Sequence, residues 1–278
     1  MSEVNDPSLW LASMPWPDAR SHKHARGRLG VVSGGPHATG AARLAARAGL
    51  RAGAGLVRMF APVEAADLLA PTLEAVMLAP FDRPDALGAL ASDFDALVIG
   101  PGAGTGPATA DNVQTLARQG VALVLDADAL TVFADRPDDL ADLVEGRDVL
   151  TPHEGEFERL FPSLLGSLGR GEAACVAAGR TGAVVVLKGH ETVIAAPDGR
   201  LRINRNGSPW LATAGTGDVL AGIIGGLLAQ RMDSFDAAGA AVWIHAEAAT
   251  RFGPGLTAED LPDLLPGVLG GLWRGGRG

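Results

Sequence analysis

A chain of 278 residues suits one large domain or two small ones, and at that length the core needs no covalent staple. Apolar residues are 47% and charged residues 20%, which excludes intrinsic disorder, and the 38 glycines lack the G-X-Y period of collagen. A net charge of −9 without a basic run argues against a nucleic-acid or anionic-membrane partner, and one cysteine excludes an internal disulfide or a cysteine-built zinc site.

Residues 1–26 carry prolines and tryptophans and are expected to form an arm laid over the domain. They lack a basic patch followed by an apolar stretch, so no signal peptide is read there. Short β-branched runs then alternate with longer Ala/Leu stretches. Strands are expected at 29–33, 56–60, 96–99, 121–125, 148–150, 184–187 and 192–195, and helices at 39–52, 107–119, 153–161 and 172–180. Several strands are apolar throughout, as strands covered on both faces are. The expected fold is therefore α/β, a mostly parallel sheet between helix layers. Residues 193–196 and 201–204, joined through Pro197-Asp198-Gly199, read as a hairpin. From Gly215 onward the pattern is helical, at 218–230, 234–251 and 257–272. The longest apolar stretch, 219–229, falls short of the ~20 residues that span a bilayer, so a cytoplasmic protein is expected. Cys175, flanked by Ala173, Ala174, Val176 and Ala177, reads as a small buried hydrophobe. The expected organisation is the arm (1–26), a single catalytic domain (27–272) and a C-terminal tail (273–278) that frays.

The strongest chemical signal is Thr213-Ala214-Gly215-Thr216-Gly217-Asp218 ahead of an apolar helix. Glycines before a helix let the backbone approach a ligand, and first-turn N–H groups then face an anion. Asp218 in that place can act as a base on a hydroxyl beside a bound phosphate; the plain alternative is an N-cap. Lys188 follows the strand VVVL in a chain that has 21 Arg and only two Lys. A compact point charge suits a phosphate, although a solvated strand-end lysine fits equally. Gly100-Pro101-Gly102-Ala103-Gly104-Thr105-Gly106 is either a phosphate cradle or a tight turn. Asp126-Ala127-Asp128 ends a strand at the carboxyl edge where open parallel sheets bind ligands, with helix capping by Asp128 as the alternative. His153 and Glu156 sit at i, i+3 on a starting helix without a third metal ligand, and Glu156 suits a helix N-terminus in its own right. His245-Ala246-Glu247 reads as ordinary helix.

Taken in order, GRLGVVSGG, GAARLAARAGLRAGAGLV, GPGAG, LDADAL, LTPHEGEF, LKGHET and ATAGTGDVLAGII resemble the NAD(P)H-hydrate dehydratase family, over roughly residues 20–270. The resemblance implies a three-layer, ribokinase-like α/β/α sandwich. It also implies repair of NADH or NADPH whose nicotinamide ring carries a hydroxyl. ADP in bacterial members, or ATP in eukaryotic ones, phosphorylates that hydroxyl, and phosphate then leaves; the Arg-for-Lys bias, typical of GC-rich bacterial genomes, points to ADP. By the same resemblance Asp218 is the base, and Gly215 and Gly217 form the anion hole. Lys188, Gly189, His190, Glu191, Thr192 and Gly217 bind the nucleotide, while Ala41, Gly102, His153 and Asp218 bind the hydrate. Mg2+ is implied as a cofactor held by phosphates and water, no protein metal ligand is named, and a homotetramer is implied. Ser208-Pro209-Trp210 stands where members often carry Asn-Pro-Gly, and no epimerase domain precedes this one, which leaves a stand-alone dehydratase or a separate dehydratase portion. Two further readings remain: a vitamin-precursor kinase of the same fold, whose product keeps its phosphate, and a nucleotide-sensing module without turnover.

Overall fold

The structure, a computed structural model, describes residues 2–276. Ten strands form one sheet: β1 (Glu3–Val4), β2 (Arg28–Val32), β3 (Leu56–Pro62), β4 (Met77–Phe81), β5 (Ala96–Ile99), β6 (Ala122–Leu125), β7 (Val149–Leu150), β8 (Val184–Leu187), β9 (Thr192–Ala195) and β10 (Leu201–Asn204). Their spatial order is β1-β10-β9-β8-β7-β6-β5-β2-β3-β4, and among the described residues only β9 runs against its neighbours. Twelve α-helices connect them among the described residues. They are α1 (Thr39–Arg51), α2 (Val63–Leu69), α3 (Pro84–Ala91), α4 (Pro107–Ala117), α5 (Asp128–Thr131) and α6 (Pro137–Ala141). The rest are α7 (Glu154–Leu160), α8 (Leu164–Ser167), α9 (Arg170–Thr181), α10 (Thr216–Ala229), α11 (Ser234–Phe252) and α12 (Leu261–Gly275).

The all-apolar strands are all-apolar because successive side chains leave a strand on opposite faces and both faces here are covered. Ala96 and Val98 of β5 enter one core, with α1, α10, α11 and α12, while Leu97 and Ile99 enter the other, with α3, α4 and α9. Val184 and Val186 against Val185 and Leu187 divide in the same way on β8. That is the expected three-layer sandwich. Helices α1 and α10 pack backbone to backbone: a Cβ at Gly222 would lie 2.1 Å from the Ala45 carbonyl oxygen, so no larger residue fits.

Differences from expectation have local causes. Strand β4 contains Pro80, which hides a strand in the sequence and is tolerated because β4 is an edge. Strand β1 consists of two residues held parallel to β10, a pairing no local pattern encodes. The arm it belongs to is locked by Trp10, fully buried with its ring 5.9 Å from that of Trp243. Residues 257–260 form a turn in which Asp260 accepts from the backbone and hydroxyl of Thr257, both at 2.8 Å, so α12 starts later than expected. It also runs through Gly275, so 273–275 are helical; Arg277 and Gly278 lie outside the described residues. Cys175 is half-buried, since Ala173, Ala174, Ala177 and Ala178 form the buried face of α9 and Cys175 falls beside it.

Candidate active site

The parallel register aligns strand ends, and with them the residue that follows each strand. Leu125 of β6 pairs with Leu150 of β7, so Asp126 and Thr151 emerge side by side at the carboxyl edge. Thr151 Oγ1 donates to Asp126 Oδ1 at 2.7 Å. Lys188, the first residue past β8, donates from Nζ to the same oxygen at 2.7 Å. Asp126 is fully buried and Lys188 is half-buried, so this is a largely desolvated ion pair, held by the Thr151 hydroxyl as well. Burial works against the Lys188 charge, but Asp126, Glu156 and Asp218 outweigh it and raise its pKa above the ordinary lysine value. The ammonium stays charged, and the solvated-lysine alternative does not hold.

Helix α10 begins just above. Its N-cap is Gly215, with φ +91° and no side-chain cap bond. Asp218 lies inside the first turn, so it is not the N-cap, and the first-turn N–H groups of Thr216, Gly217 and Asp218 are left for an anion. Gly217 makes room for the lysine: a Cβ there would lie 3.3 Å from Lys188 Nζ. Burial, and next the Asp126 charge, push the Asp218 carboxyl up to about 6, against the pull of Lys188. A carboxylate that gains its proton near neutrality is suited to taking one from a substrate.

Asp128, considered above as a helix cap, opens α5 and reaches across to accept from the Gly104 N–H at 2.8 Å, pinning the glycine loop. Between the two aspartates Ala127 sits at φ +48°, a strained position for a residue with a Cβ. Gly102 packs on the entrance to α1, where its Cβ would lie 2.5 Å from the Ala38 carbonyl oxygen. That contact brings the loop of Gly102 to the helix start that carries Ala41.

A cavity of about 810 Å³ opens beside Gly217, between the 188–192 turn and the 204–212 loop. All six expected nucleotide residues line it, over an apolar floor of Leu220, Val242 and Ala246. Ala41, Gly102 and His153 are not among its walls. His153 instead folds back on its own helix. Its Nδ1 accepts from the N–H groups of Gly155 and Glu156, at 2.9 and 3.1 Å, while Glu156 Oε2 accepts from the His153 N–H at 2.8 Å. This is a capping box with histidine in the place of serine. His245, read as ordinary helix, is buried at the wall of the cavity behind Thr216. Burial depresses its pKa to about 4, so the ring is neutral, and its Nε2 has no partner. Its nearest sequence signal is a lone histidine on an apolar helix, which by itself carries no chemistry.

Comparison with known proteins bears on the family and the fold. A family model described as NAD(P)H-hydrate dehydratase matches residues 29–266. An ADP-dependent (S)-NAD(P)H-hydrate dehydratase from Xanthomonas campestris is 38% identical over 95% of this chain and 96% of its own. The bifunctional NAD(P)H-hydrate repair enzyme Nnr of Salinibacter ruber is 40% identical over 94% of this chain and 52% of its own length, so the chain spans about half of such bifunctional relatives. The solved structure of the Bacillus subtilis ADP/ATP-dependent NAD(P)H-hydrate dehydratase, co-crystallised with ATP/Mg2+, superposes with a TM-score of 0.85 at 31% identity, covering 98% of this chain and 99% of that one.

Proposed function

This chain belongs to the NAD(P)H-hydrate dehydratase family and has its ribokinase-like fold, and from that premise we propose that it converts hydrated NADH or NADPH back to the reduced cofactor at the expense of ADP. The observation that carries the proposal is the setting of Asp218, a half-buried carboxyl pushed up to about 6 on the uncapped first turn of α10, beside a half-buried, charged lysine. Hydroxide is a poor leaving group at neutral pH, and phosphorylation turns it into a good one. Asp218 takes the proton of the ring hydroxyl as its oxygen attacks the terminal phosphorus of ADP. The bond from that phosphorus to the bridging oxygen breaks and AMP leaves. The ester then loses phosphate and a ring proton, which restores the dihydronicotinamide double bond.

The remaining residues serve charge and placement. The Gly215 and Gly217 backbone faces the developing charge on the transferring phosphoryl group, where preorganised N–H dipoles act most strongly. Lys188, Gly189, His190, Glu191, Thr192 and Gly217 hold the nucleotide in the cavity between the two loops. Asp126 keeps the Lys188 ammonium at the mouth of α10. Ala41, Gly102 and His153 take the hydrate, outside the walls of that cavity. A magnesium ion carried by nucleotide phosphates and water would neutralise phosphate charge when bound; among the described residues no group of three or more His, Cys, Asp or Glu is placed to hold a metal ion. ADP is the donor named for the Xanthomonas relative. We further propose that the catalytic unit spans residues 27–272 between an arm (1–26) and a tail (273–278), and that it works in the cytoplasm as a homotetramer. Among the described residues no helix is long and apolar enough to cross a membrane.

The test is a product assay. Hydrated NADPH, ADP and magnesium should yield the reduced-nicotinamide absorbance band with one AMP and one inorganic phosphate per turnover. An organic phosphate that accumulates, with no gain in absorbance, would mark a kinase and refute the lyase reading.

A further inference from the structure

The turn from Lys188 to Glu191 must, on the reading above, present its backbone to a nucleotide in one orientation. A guanidinium from another element holds it. Arg170, the first residue of α9, is half-buried, and its Nη2 donates to the carbonyl oxygens of Leu187, Lys188 and Glu191 at 3.3, 3.2 and 3.3 Å. Its Nη1 pairs with Glu154, the first residue of α7. One planar fork thus ties the turn to the neighbouring helix start, a task that a point-charge lysine performs poorly. In a trans peptide the N–H points opposite to the C=O. With the Lys188 carbonyl turned onto Arg170, the N–H of Gly189 faces away from the guanidinium, and Gly189 itself lines the cavity. The fit is close: a Cβ at Gly189 would lie 2.4 Å from Arg170 Nη2.

We propose that Arg170 is a positioning residue for the nucleotide: it orients the Lys188–Glu191 turn so that the Gly189 amide and the Lys188 ammonium both meet the nucleotide's anionic groups. The proposal rests on the nucleotide reading of the 188–192 turn given above. It is tested by titration calorimetry with ADP, alongside melting temperature and steady-state KM for the hydrate. Arg170→Ala should raise the ADP Kd about tenfold, the worth of a charge-assisted contact, and leave the hydrate KM within about twofold. Arg170→Lys should recover part of the loss. Gly189→Ala should weaken ADP binding in the wild-type background, by displacing the guanidinium, and cost little further in Arg170→Ala, so the two changes should be non-additive. ADP binding equal to wild type in Arg170→Ala, with only the melting temperature lowered, would overturn the inference and leave the proposed function standing. An additive cycle would overturn it too. Wild-type protein that binds no ADP would overturn both.

Discussion

Two carboxyls in this molecule, Asp148 buried and Asp218 half-buried, share a raised pKa of about 6 and sit at opposite edges of one sheet, Asp148 at the amino edge and Asp218 at the carboxyl edge. Burial is the leading cause in both. What separates them is how their oxygens are used. Asp148 Oδ1 accepts from the Leu123 N–H and Oδ2 from the Glu145 N–H, both at 2.8 Å, so the carboxyl staples β6 to the turn before β7. Asp218 stands at an uncapped helix start near Lys188 and Asp126, and its neighbour Gly217 lines a cavity. A perturbed pKa therefore marks burial in either place, and a site only where an oxygen is left for a substrate.

The sharpest way to break the comparison is Asp218→Asn, which keeps the shape and removes the proton acceptor. Turnover should fall about 10²–10⁴-fold, with ADP affinity in calorimetry nearly unchanged; wild-type turnover would remove Asp218 from the base role. In the wild type kcat should rise with pH through about 6 as Asp218 loses its proton. Stability should respond with the opposite sign. Between the unfolded value of 3.8 and the folded value of about 6 the native state holds more protons, so the contribution of both carboxyls to stability grows as pH falls through that window. Melting temperature and kcat measured over the same pH series should therefore diverge.

Lys188→Ala comes next. It should weaken ADP binding by about 1–3 kcal/mol, the range of hydrogen bonds to charged groups, and destabilise the fold by stranding the buried Asp126. Pairing it with Asp126→Asn should restore stability and leave the affinity lost. If the double variant binds ADP like wild type, Lys188 is only a structural partner. Asp148→Asn should do the reverse of Asp218→Asn: turnover persists, while stability drops by about 1–3 kcal/mol because an amide nitrogen now faces a backbone N–H. The smallest effect belongs to His153. His153→Ala loses the cap and about 0.5–2 kcal/mol of stability. His153→Asn, a good N-cap, should hold the melting temperature and still raise the hydrate KM about two- to tenfold, one weak hydrogen bond's worth. An unmoved KM in His153→Asn would reduce His153 to its capping role.

The sequence by itself determined the layered sandwich and the identity of the motifs. Apolar runs such as 96–99 and 184–187 require a sheet covered on both faces, and glycines ahead of an apolar helix offer N–H groups at its start, which the proposed function gives to an anion; both are local properties of the backbone and its side-chain period. Whether a motif residue is free or already engaged was decided only in three dimensions. His153 lies in a recognisable PHEGEF run, yet its ring nitrogen caps its own helix. Lys188 looks like an exposed strand end, yet strand register brings it onto Asp126, sixty-two residues away. Arg170 carries no motif at all, and its hold on the 188–191 turn exists only because α7, α9 and the end of β8 meet there. Local periodicity sets which face a residue takes. The partner of a buried charge depends on which strand ends the tertiary fold brings together, and a chain that has to neutralise such a charge does so with residues far away in sequence.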